Sequence, residues 1–159
     1  MIVTQSLVYE GEAGLFEGTV SWDDALSAPR PVVMVAPTFK GQSAFETKKA
    51  ELLAELGYVG VAIDIYGQGK RATTPEHAGE LMTVLNNDRA LLLKHMQLAT
   101  NTARQLPQAD ATKIAAIGFC FGGKCVLDLA RSGAAVRGVV SFHGIYDPPD
   151  LDAQEIQSA

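Results

Sequence analysis

The sequence predicts an α/β fold, a mostly parallel sheet with helices on both faces, and three observations carry that prediction. Mainly apolar runs at 32–36, 58–65 and 114–117 have the composition of strands covered on both sides. Between them lie stretches whose apolar residues recur at helical spacing. Strand, helix and strand in succession then call for right-handed crossovers, which build a parallel sheet. Finally, the stretch Gly118-Phe119-Cys120-Phe121-Gly122 reads as a strand that turns sharply into a helix.

Taken in order, Thr4 to Asp23 shows short apolar alternation broken by Gly11, Gly14 and Gly18, the pattern of an antiparallel hairpin or meander at a sheet edge. Pro29 and Pro31 precede Val32–Ala36, the first central strand. Ser43 to Leu56 reads as an amphipathic helix with Phe45, Leu52, Leu53 and Leu56 as its apolar stripe, ended by Gly57. Tyr58–Ile65 is the next buried strand, and Gly67 and Gly69 open the loop after it. A helix starts at Pro75. A longer one runs from about Asp88 to Gln105, with Leu91, Leu92, His95, Leu98, Thr102 and Leu106 close to one stripe. After the strand that leads to Cys120, a helix continues to about Arg131 and Gly133 ends it. Val136–His143 is a further strand. Residues 1–146 are expected to form one domain, and 147–159 an acidic, mobile tail.

At 159 residues, 47% hydrophobic and 19% charged, the chain is long enough for one domain with a core of its own. A net charge of −5 without a basic run argues against a nucleic-acid partner. No signal peptide and no 18-residue apolar run is evident, so no membrane partner and a reduced, cytoplasmic setting are expected. The two cysteines, Cys120 and Cys125, and the three histidines, His77, His95 and His143, show no paired metal-ligand spacing. Neither a metal nor a cofactor is expected.

Cys120 is the candidate with chemistry. Glycines two residues before and two after it permit a strained corner and close backbone approach. The thiol would stand at a helix N-terminus, where unpaired N–H groups and the macrodipole favour a thiolate. A buried, inert cysteine in a tight turn is the plainer alternative. Cys125, within the same turn-and-helix unit, is expected to point into packing, and His95 to be a helix-face histidine.

Ile117-Gly118-Phe119-Cys120-Phe121-Gly122-Gly123, with Asp64-Ile65-Tyr66-Gly67-Gln68-Gly69 upstream and Val140-Ser141-Phe142-His143-Gly144 downstream, resembles the dienelactone hydrolase family. That family has the α/β-hydrolase fold and a cysteine nucleophile. The resemblance implies a Cys, Asp, His triad in chain order, acting on lactones or small esters through a thioester acyl-enzyme. Cys120 takes the nucleophile's place. The backbone N–H groups of Phe121 and Phe39 would form the oxyanion hole. Thr38, Tyr66 and His143 are candidate pocket residues.

Two departures stand out. Thr38 occupies a position that is often acidic in the family, and Lys40 and Lys124 are expected to be solvated surface lysines. The resemblance also places the triad aspartate and histidine after two further strands, past Ala159. His143 matches a strand end rather than the catalytic histidine, and Asp147 and Asp150 fall too early for the triad acid. The expectation is an incomplete portion of a hydrolase whose sheet is completed by a missing C-terminal segment or a neighbouring chain. The alternative is a catalytically silent binding or interaction domain; a thiol redox sensor built on Cys120 and Cys125 is a third reading.

Overall fold

A computed structural model describes residues 1–149. Its centre is a six-stranded sheet in the order β1-β2-β4-β3-β5-β6. β1 (Ile2–Gly11) and β2 (Gly14–Asp23) form an antiparallel hairpin, registered from Ile2 opposite Asp23 to Gly11 opposite Gly14. β2 runs antiparallel to β4 (Val59–Ala62), while β4, β3 (Arg30–Ala36), β5 (Ala109–Phe119) and β6 (Val139–Phe142) run parallel to one another. The expected α/β architecture is thus present, with the hairpin at one edge.

Chain order locates the site. From β3 the chain passes through α1 (Ala44–Glu55) to β4 on one side. From β5 it passes through α4 (Phe121–Arg131) to β6 on the other. Crossovers of the same hand that leave in opposite directions put α1 and α4 on opposite faces. They also open a crevice beyond the carboxyl ends of β3 and β5, where α/β sheets bind ligands. α2 (Pro75–Asn87) and α3 (Arg89–Arg104) connect β4 to β5, and α3 packs beside α4. The core of Val32, Met34, Val61, Ile114, Met96, Phe121 and Leu129 fills the space around the strands.

Helix starts follow local chemistry. Ser43 caps α1 in a capping box with Glu46, Thr74 caps α2 just before Pro75, and Asp88 caps α3 by accepting from the Leu91 N–H. The stripe expected on α1 is wrong: Phe45, Leu52 and Leu56 are exposed, and the buried face is Glu46, Ala50 and Ala54. The reason is close approach to the sheet. A Cβ on Gly60 would lie 2.2 Å from the Ala50 carbonyl oxygen, so only small residues fit between α1 and β4. On α3 the buried stripe is Leu92, Met96, Ala99 and Ala103 together with His95, turned slightly from the one expected.

Strand lengths also differ. β4 stops at Ala62 instead of Ile65: the Ile63 N–H still donates to the Val35 carbonyl of β3 at 3.1 Å, but from Asp64 onward the backbone bonds to side chains. Tyr9 Oη donates to the Asp64 carbonyl (2.7 Å) and accepts from its N–H (3.0 Å). The buried Asp64 carboxylate accepts the N–H groups of Glu17, Tyr66 and Gly67 and pairs with Arg71 at 3.1 Å. β5 begins earlier than expected, at Ala109 opposite Arg30, across a register shift. β6 is shorter, starting at Val139.

Of the expected tail, residues 150–159 lie outside the described residues. Asp147 is anchored, its carboxylate 2.9 Å from Lys124 Nζ and 3.1 Å from Arg89. Among the described residues no helix is long and apolar enough to cross a membrane.

Candidate active site

Cys120 joins β5 to α4 with φ 56° and ψ −116°, a backbone conformation that costs an L-residue about 1–3 kcal/mol. Its N–H donates to the Phe142 carbonyl and its carbonyl accepts from the Gly123 N–H, each at 3.0 Å. The thiol caps no backbone group of α4 and is partly exposed. The flanking glycines are required by contact. A Cβ on Gly118 would lie 2.0 Å from the Gly122 oxygen, and one on Gly122 would lie 2.3 Å from the Ala36 oxygen. The first turn of α4 therefore rests directly on the ends of β5 and β3.

The N–H of Phe121, first residue of α4, has no acceptor among the described residues, and neither has the N–H of Phe39 in the loop after β3. Around Phe39 three neighbouring polar groups are engaged. The Thr38 carbonyl accepts from the Gly41 N–H at 3.0 Å, the Phe39 carbonyl accepts from Tyr66 Oη at 2.9 Å, and the Thr38 N–H donates to Glu46 Oε1 at 3.2 Å. Tyr66 is buried, with its ring stacked on Phe121 at a centroid distance of 6.2 Å. Phe119 stacks on Phe142 at 4.9 Å and meets Phe45 edge-on, with Lys49 above both Phe45 and Phe119.

His143 is exposed at positive φ (41°), its ring 6.5 Å from that of Phe119. No hydrogen bond joins it to Cys120 among the described residues. His95 is buried on α3, remote in role from this corner. Its Nδ1 donates to the Ile65 carbonyl (2.7 Å), its ring meets Phe16 edge-on, and burial lowers its basicity below that of an ordinary imidazole. Lys40 is exposed as expected, but Lys124 is not. It is only 3% exposed and bonds to Asn86 Oδ1 and Asp147, because it lies under the segment that follows β6. Asp147 is held below the usual carboxylate range by the Lys124 ammonium. Cys125 is fully buried, its thiol pushed up by desolvation, and both cysteines are free.

Among the described residues no three His, Cys, Asp or Glu side chains form a metal-holding group. A groove of about 550 Å³ lined by Phe16, Leu91, His95 and Leu98 lies between the hairpin tip and α3, away from Cys120. Sequence reasoning passed over Glu46 and Asp64 as site-shaping residues. The pattern Ser43-Ala44-Phe45-Glu46 was the available signal for the first.

A cysteine on a strained strand-to-helix elbow, at the carboxyl end of a mostly parallel sheet with helices on both faces, defines an α/β-hydrolase fold. More narrowly, the chain belongs to the dienelactone hydrolase family, whose model matches residues 16–159. It is 25% identical over 126 residues to a carboxymethylenebutenolidase of Pseudomonas putida, covering 74% of this chain and 52% of that protein. It superposes with TM-score 0.91 and 34% identity on a dienelactone hydrolase-like promiscuous phosphotriesterase, P91, from metagenomic libraries, covering 99% of this chain and 66% of that one. A solved protein named m3DLH gives TM-score 0.92, with the same identity and coverage. The chain spans about half the length of the curated relatives it matches, 52% of the Pseudomonas protein.

Proposed function

We propose that this chain carries the nucleophile and oxyanion hole of a hydrolase of small lactones or esters. The observations that support it most are the strained Cys120 backbone and two N–H groups without an acceptor among the described residues, those of Phe121 and Phe39, linked through Tyr66. The thiolate sulfur attacks the carbonyl carbon, and its negative charge passes to the carbonyl oxygen, which the two N–H groups stabilise. The C–O bond then breaks, the alcohol or enol oxygen takes a proton, and a thioester remains on Cys120. Water hydrolyses that thioester, releasing the acid and restoring the thiol. The general base and its orienting acid are assigned to sequence outside these 159 residues, as the family resemblance implies. Thr38 and His143 are proposed to border the substrate, and two free cysteines fit a cytoplasmic setting.

Mixing the chain with p-nitrophenyl acetate tests this. One equivalent of p-nitrophenolate should be released per chain, and Cys120→Ala should cut that release by about 10³-fold or more. No release above the rate of an ordinary thiol would turn the reading to a silent binding domain. A butenolide and a phosphotriester, offered in competition, rank lactone against the chemistry of the metagenomic relative.

A further inference from the structure

Glu46 is fully buried, yet no Lys or Arg pairs with it among the described residues. In an ordinary capping box the third helical residue reaches back only to the capping residue. Here the carboxylate does more. Oε2 takes the Ser43 N–H at 2.9 Å and the Ser43 hydroxyl at 2.6 Å, while Oε1 takes the Thr38 N–H at 3.2 Å. One side chain thereby spans the whole loop between β3 and α1.

That loop contains Phe39. The Thr38 carbonyl, in the same peptide plane as the Phe39 N–H, is fixed by Gly41, and the Phe39 carbonyl is fixed by Tyr66. Glu46 fixes the remaining side of Thr38. With these groups taken, the Phe39 N–H is left without an acceptor among the described residues, in a peptide plane whose orientation is set, to meet a developing oxyanion. Tyr66, stacked on Phe121, ties this donor to the other one.

We infer that Glu46 is a positioning residue for the oxyanion hole, setting the Phe39 N–H through its bond to Thr38. The inference rests on the proposed nucleophilic role of Cys120. Three donors of any kind would satisfy a buried carboxylate anywhere; what assigns this one to the site is that one of its bonds lands next to Phe39.

The experiment compares two reactions of the same thiol. Acetylation by p-nitrophenyl acetate passes through an oxyanion, whereas alkylation by iodoacetamide does not. Glu46→Gln keeps the shape but has a single acceptor oxygen, so it cannot hold both Thr38 and Ser43. Glu46→Asp keeps the charge and the reach to Ser43 but is one methylene too short for Thr38. Each variant should slow acetylation of Cys120 by about 10- to 100-fold, the cost of misplacing or losing a donor, and leave alkylation within about twofold. The lower rate should appear in the maximal rate, not in the half-saturating ester concentration. Equal losses in both reactions, or a loss in neither, overturn the inference. If Glu46→Gln fails to fold, Glu46→Asp decides on the same criterion. If the unaltered chain is alkylated but not acetylated at Cys120, the proposed function itself falls, and this inference falls with it.

Discussion

Strain at Cys120 is the residue-scale signature of this protein. A left-sided φ of 56° with ψ −116° is tolerated best by glycine. Replacing the residue therefore separates stability from chemistry. Cys120→Gly should unfold at higher denaturant than Cys120→Ala, by about 1–2 kcal/mol, although both lack the nucleophile. Equal midpoints in urea would show that the elbow is not strained. The thiol and its glycines were legible as a motif, because Gly-x-Cys-x-Gly reflects a steric need that acts within five residues. The buried carboxylates of Glu46 and Asp64 were not. Beyond the local capping box, their partners are set by the fold: the Thr38 N–H for Glu46, and the Glu17 N–H and Arg71 for Asp64.

At the scale of elements, the order of strands and helices was readable throughout, since apolar runs and caps are local signals. Which face of α1 turns inward was not. Leucines suggested one stripe, but the fit of Ala50 over Gly60 selected the small-residue face and left Leu56 74% exposed. Two variants check this packing. Gly60→Ala should destabilise the fold by about 3 kcal/mol through overpacking, while Leu56→Gln should change stability by no more than about 0.5 kcal/mol. A large effect of Leu56→Gln, read from thermal or urea unfolding, would restore the leucine stripe. The early end of β4 likewise depends on distant residues: the strand pattern runs on to Ile65, but after the Ile63–Val35 bond the Asp64 backbone turns to the Tyr9 hydroxyl.

For the whole molecule, pH and the open edge of the sheet are the exposed points. Burial depresses the basicity of His95, so the unfolded chain binds its proton more readily than the folded one. Stability from this group is complete above the ordinary imidazole value of about 6.5 and is lost as pH falls from there toward the lower folded value. His95→Gln should therefore lose less stability than the unaltered chain between pH 7.5 and 5. For one proton the difference in slope cannot exceed about 1.4 kcal/mol per pH unit. Parallel pH profiles would contradict a neutral buried imidazole. At the sheet edge, β6 shows Val140 49% and Phe142 43% exposed and pairs only with β5 among the described residues. The proposal that a further strand, from a C-terminal segment or a neighbouring chain, covers this edge makes a second prediction. Val140→Lys should suppress self-association of this chain in sedimentation velocity, and unchanged sedimentation would argue against edge pairing.

Cys120 is proposed to attack carbonyl carbon with the help of two backbone donors. Peptide mass spectrometry after brief exposure to p-nitrophenyl acetate tests it most directly. One acetyl group should appear, on the peptide that carries Cys120, formed far faster than on a free thiol and absent in Cys120→Ala. Acetylation of Cys125 instead, or at Cys120 no faster than on an unstructured cysteine peptide, would contradict it.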